Sequence, residues 1–74
     1  MHKLQSEEVT FDIPYGENTR KVALQLIGNE VVRLFEEGGG GVDKVEVEII
    51  NVYHFDHQMG IKYVVYFSTY CEDK

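Results

Sequence analysis

The segment from Lys44 to Cys71 constrains the fold most, because it reads as one long β-hairpin with apolar side chains on both faces. A single helix elsewhere can cover only one face of such a ribbon. Apolar surface is therefore left over in a chain of 74 residues. A lone core of that size contributes only about 3–5 kcal/mol before other devices are added, and oligomerisation is the expected device.

Turn residues concentrate at Asp56-His57-Gln58-Met59-Gly60, which places the hairpin tip there and pairs Phe55 with Ile61. Counting outward, Tyr53 meets Tyr63, Asn51 meets Val65, Ile49 meets Phe67, Val47 meets Thr69 and Val45 meets Cys71, on the face that belongs under a helix. The other face receives His54 with Lys62, Val52 with Val64, Ile50 with Tyr66, Glu48 with Ser68 and Glu46 with Tyr70. Ile50, Val52, Val64 and Tyr66 are then contiguous. Single outward apolar residues are ordinary in strands, but four together make a patch of the few hundred Å² that marks an interaction site.

Upstream, Val9, Phe11, Ile13 and Tyr15 alternate with polar residues and predict a half-buried strand over residues 8–15, with Pro14 restricting it to a sheet edge. From Thr19 to Glu37 the period changes. Ala23, Leu24, Ile27, Val31, Leu34 and Phe35 line one helical face, with Asn18 as the candidate N-cap. Gly28-Asn29 interrupts this stretch, and the rival reading is a Gly-Asn hairpin that would make the protein a five-stranded all-β domain. The Ala, Leu, Gln, Glu and Arg content favours the helix. Gly38 to Gly41 ends it, Gly38 taking the left-handed C′ position. A phosphate loop is not expected at a helix C-terminus beside Glu36 and Glu37.

The fold class expected is therefore α+β, in the order β-α-β-β, with one helix packed on a three-stranded antiparallel sheet that has a long C-terminal hairpin. Residues 1–74 form a single small domain, and residues 1–7, which lack an apolar pattern, are expected to be disordered or frayed.

Thirteen acidic residues against seven basic ones give a net charge of −6, which opposes attraction to nucleic acid and to anionic membranes. The chief role of this charge is solubility. A sharper reading makes Asp43, Glu46 and Glu48 an acidic surface for a basic partner, as in a phage-type inhibitor. Cys71, the only cysteine, and a polar start without a signal-like run fit a reducing, cytoplasmic setting. Its register partner is Val45 and the hairpin histidines lie at the far end, so Cys71 reads as a small apolar residue rather than a nucleophile. His54, Asp56 and His57 are the local residues of metal-ligand type. Three donors without a fourth read as a solvated turn, and no metal is expected.

The chain resembles dodecins over residues 8 to 70 in length, element order, acidity and the helix-then-long-hairpin layout. That resemblance implies a shell-like oligomer that stacks flavin on a second-strand tryptophan. This sequence has no tryptophan, and its Gly tetrad departs from the family pattern, so Tyr53 would have to supply the stacking ring. Without flavin, no cofactor is implied. Three functional expectations result. The first is a non-enzymatic binding module that partners itself, as a dimer or larger, and possibly another protein; the others are a dodecin-like flavin-sequestering oligomer and an acidic inhibitor.

Overall fold

The computed structural model describes residues 1–16, 18–54 and 60–72. Its elements are β1 (His2–Pro14), α1 (Thr19–Glu37), β2 (Lys44–His54) and β3 (Gly60–Cys71), an α+β arrangement of one helix on a three-stranded antiparallel sheet. The sheet order is β1-β3-β2, so β3 is central and its neighbours are both edges.

Residues 2–7, expected to fray, are the first half of β1: His2 pairs with Cys71, Gln5 with Thr69 and Glu7 with Phe67. The sequence is polar there because this end of the strand is held by backbone hydrogen bonds to β3 rather than by apolar burial. Val9, Phe11 and Ile13 follow on the helix side, and Ile13 is buried.

The helix runs uninterrupted through Gly28-Asn29. At its start Asn18 makes no side-chain cap bond. Instead, the Gly16 N–H donates to Thr19 Oγ1 (3.0 Å) and the Thr19 hydroxyl donates to the Gly16 carbonyl (3.0 Å). At its end Gly38 keeps a right-handed φ of −70°, and the left-handed step falls one residue later than expected, on Gly39 (φ 57°) and Gly40 (φ 91°). The Gly38 and Gly39 N–H groups still close the last turn on the Leu34 and Glu36 carbonyls.

Ala23, Ile27 and Leu34 are the buried stripe of the helix, and Ile27 and Leu34 pack with Val65 and Phe67 of β3, with Val9, Phe11, Val31, Val45 and Tyr63 around them. Phe11 meets Phe67 edge to face at 6.4 Å. Arg33, one flank away from this stripe, donates to Glu7 of β1 (2.8 Å) and to Glu30 (Nε to Oε1, 2.9 Å), and also pairs with Glu37. The helix is thereby tied to β1. A 19-residue helix spans about 28 Å, against about 43 Å for the 13-residue β1, so the sheet is longer than the helix that covers it.

The register of the hairpin differs from the count made from its tip. Val45 faces Thr69, Val47 faces Phe67 and Ile49 faces Val65; then, after a bulge between Ile49 and Asn51, Asn51 faces Val64, Val52 faces Tyr63, Tyr53 faces Lys62 and His54 faces Ile61. The bulge inserts one residue and exchanges the faces of everything beyond it. Residues opposite one another share a face, so Val47, Ile49 and Val52 all lie on the helix side. A regular strand would have placed Asn51 and Tyr53 there. The expected tip, with Phe55, Asp56 and His57, lies outside the described residues.

Candidate interaction surface

Of the 11 residues of β2, only Val45 is even half-buried. β3 beside it is buried or half-buried along its whole length. On the helix side, Val47, Ile49 and Val52 stand in a row, and the flank of α1 that faces them carries Leu24 and Phe35. With 100° per residue, these two project on the side of the buried stripe opposite Glu30, Arg33 and Glu37, which face β1. Leu24, Phe35, Val47, Ile49 and Val52, at 57, 39, 42, 47 and 46% exposure, leave about 400 Å² of apolar side chain in water, the size at which a monomer's largest patch becomes functional.

The four residues expected to form the interface do not lie together. Val64 and Tyr66 sit on the open face and are half-buried, Val52 has crossed to the helix side opposite Tyr63, and Ile50 is the residue skipped at the bulge. Sequence reasoning found the apolar surplus, but the regular register it assumed placed Val52 on the open face rather than the helix side. A signal was present: the alternation of β2 first breaks at Ile49-Ile50.

The open face is polar toward its base. Lys3, Glu46, Glu48, Tyr66, Ser68 and Tyr70 line a shallow depression of about 360 Å³. Its charges are engaged with one another. The Tyr70 phenol donates to Glu46, and this bond, with Lys44 beside it at 3.5 Å, holds the Glu46 carboxyl below its ordinary value. Asp43 accepts a hydrogen bond from the Glu72 N–H at 2.7 Å. Glu48 faces Tyr66. Of the three acids read as a surface for a basic partner, two therefore already have partners within the chain.

The remaining candidates fall elsewhere. Tyr53, the possible ligand-stacking ring, is exposed beside Lys62 on the open face. His54 hydrogen-bonds to the Tyr15 hydroxyl and stacks on its ring at 5.7 Å. Asp56 and His57 lie outside the described residues, and among those described no cluster of three His, Cys, Asp or Glu side chains could hold a metal. Cys71 has a different neighbour from the one expected: His2 lies opposite it on β1, with Nε2 3.1 Å from the sulfur. That juxtaposition could not be read from the sequence while residues 1–7 were left out of the sheet.

No described helix is long and apolar enough to cross a membrane, which leaves β-strand spans unaddressed. No protein-family profile, curated protein or solved structure matches the chain significantly.

Proposed function

We propose that this protein is a small, non-enzymatic interaction module that works as an assembly of its own copies, joined through the flank formed by α1 and β2. The observation that carries this reading is an 11-residue edge strand with apolar side chains and almost no burial. The opposite edge, β1, is blunted by Lys3, Glu7, Glu8, Asp12, Pro14 and a bulge between Lys3 and Gln5, all devices that keep a sheet edge from pairing. On β2 the charges stop at Glu48, and the stretch from Ile49 to Tyr53 is unguarded.

A second copy is the partner that suits this flank. Two copies related by a two-fold axis would withdraw about 800 Å² of apolar surface from water. With the roughly 60% apolar share usual in such contacts, the total reaches about 1,300 Å², within the range of stable interfaces. The flavin-sequestering and acidic-inhibitor alternatives draw less support, since Tyr53 is a single exposed ring and Asp43 and Glu46 are engaged internally.

Size-exclusion chromatography with light scattering tests the reading. A mass of two or more chains at micromolar concentration is the expected result. A monomer that persists into the high micromolar range would end it.

A further inference from the structure

The open face of the sheet, away from α1, carries its charges in rows that the register sets. Tyr70 has Lys3 opposite it on β1 and Lys44 opposite it on β2, so the row nearest the base is basic on both sides. Four residues back along β3, Tyr66 has Glu8 opposite it on β1 and Glu48 on β2, and that row is acidic on both sides. The row between them is Ser6, Ser68 and Glu46, with the two serine hydroxyls 3.3 Å apart. Glu7 turns to Arg33 of α1, which leaves its neighbour Glu8 on the open face. Lys3, Glu48, Tyr66 and Tyr70 border the same shallow depression, so both rows present their side chains to it.

This pattern is its own complement. Ser68 lies midway between the two rows, and a two-fold axis running across the strands at Ser68 lays a second copy on the first with its basic row over the acidic one. Lys3 then meets the partner's Glu8, and Lys44 meets the partner's Glu48; symmetry repeats both pairs in reverse. Each row stands about 7 Å from the axis, and sheets packed face to face are about 10 Å apart, a gap that a lysine and a glutamate side chain span together. The other two-fold, running along the strands, would put Lys3 on the partner's Lys44 and Glu8 on the partner's Glu48. Charge therefore selects one arrangement. Glu46, in the axial row, keeps the Tyr70 phenol and Lys44 of its own chain as partners. Asp12 and Lys62, which pair with each other at 3.6 Å, fall beyond the end of the second copy's β3.

We infer that the open face is a second contact between copies of this chain, made face to face and antiparallel about Ser68, with Lys3 and Lys44 of each copy set on Glu8 and Glu48 of the other. The overlap is about 14 by 26 Å, or about 700 Å² over two copies, against the roughly 1,200 Å² at which stable pairs begin. Such a contact is weak by itself and gains its weight when another contact already holds the copies together. It uses a different surface from the α1/β2 flank, so the two contacts together extend a pair into four or more chains. The inference does not depend on the flank, because the charge pattern belongs to the opposite face of the sheet.

The test is made in an Ile49→Glu background, which sets the flank aside, by sedimentation equilibrium at high micromolar concentration and physiological salt, where net repulsion is screened beyond about 8 Å. One variant adds Glu8→Lys and Glu48→Lys, so that both rows are basic; another adds Lys3→Glu and Lys44→Glu, so that both are acidic. All four positions are exposed, and circular dichroism checks that each variant folds. Each variant alone should associate at least about tenfold more weakly than its parent. Their equimolar mixture should associate at least as tightly as the parent, and since both variants stay net negative, general attraction cannot produce that result. A chain carrying all four substitutions exchanges the rows and should behave like the parent, which separates lost complementarity from lost folding. A mixture that sediments as the sum of its parts, or two variants that associate as the parent does, overturns the inference. The fate of the wild-type assembly on Ile49→Glu alone reports separately on the flank.

Discussion

Ile49→Glu separates folding from assembly. Ile49 is 47% exposed in the single chain, so a glutamate there meets mainly water and should change folding stability by less than about 1 kcal/mol. In an assembly closed on the α1/β2 flank the same position is at the centre of the contact. The gross gain from about 800 Å² of apolar burial is about 20 kcal/mol, against roughly 4–15 kcal/mol for lost freedom on association, which leaves about 5–16 kcal/mol, a dissociation constant in the sub-millimolar range or tighter. Removing Ile49 withdraws about 85 Å² per copy, or about 2 kcal/mol each and 4 kcal/mol for a two-fold dimer. The dissociation constant should therefore rise about a thousandfold, before the cost of burying the carboxylate is added. Sedimentation velocity over a concentration series, with urea unfolding of the same samples, measures both quantities. If the variant unfolds at nearly the wild-type urea midpoint and still associates as tightly, the flank is not the contact and the reasoning fails.

Two glycines should respond in opposite directions: a Cβ at Gly28 meets open space in mid-helix, so Gly28→Ala should stabilise by about 0.5–1 kcal/mol, whereas Gly38→Ala collides with Val42 and should destabilise by about 1–3 kcal/mol, both read from thermal or urea unfolding. Phe67→Ala removes a ring that is 1% exposed at the centre of the core, and its cost of about 3–5 kcal/mol matches the whole stability of so small a domain, so circular dichroism should show an unfolded chain. Acid stability should depend on Glu30, whose carboxyl is held at about 2 against an ordinary 4.5, first by its hydrogen bond from Arg33. A lowered carboxylate contributes stability that is complete above 4.5 and is lost as pH falls toward 2; Glu7, raised chiefly by its shared hydrogen bond with Glu30, acts in the opposite sense, its contribution lost as pH rises through its raised value. The urea-midpoint difference between wild type and Glu30→Gln should accordingly shrink between pH 5 and pH 2.5, and a constant difference would contradict the assignment.

Local pattern was enough to identify α1 from Thr19 to Glu37. Ala23, Ile27 and Leu34 recur at the helical period, and a glycine at position 28 removes too little helix propensity to break so long a stripe. The same kind of pattern found the inward residues Val9, Phe11 and Ile13 of β1 and restricted Pro14 to an edge strand. It could not find residues 2–7. Their place in the sheet comes from backbone pairing with β3, which leaves no periodic mark on side chains.

What the sequence determined by itself was the set of elements, the α+β class and the existence of more apolar surface than one helix can cover. Tertiary structure alone decided where that surplus went and what stood beside Cys71. In both places the cause is a β-bulge. One extra residue at Ile49–Asn51 carried Val52 to the helix side beside Val47 and Ile49, and one at Leu4 brought His2 opposite Cys71. Side chains in a strand alternate with a period of two, so the faces of a ribbon are defined only relative to its register. An insertion of a single residue reverses them at little cost in local energy, and only the completed ladder reveals it.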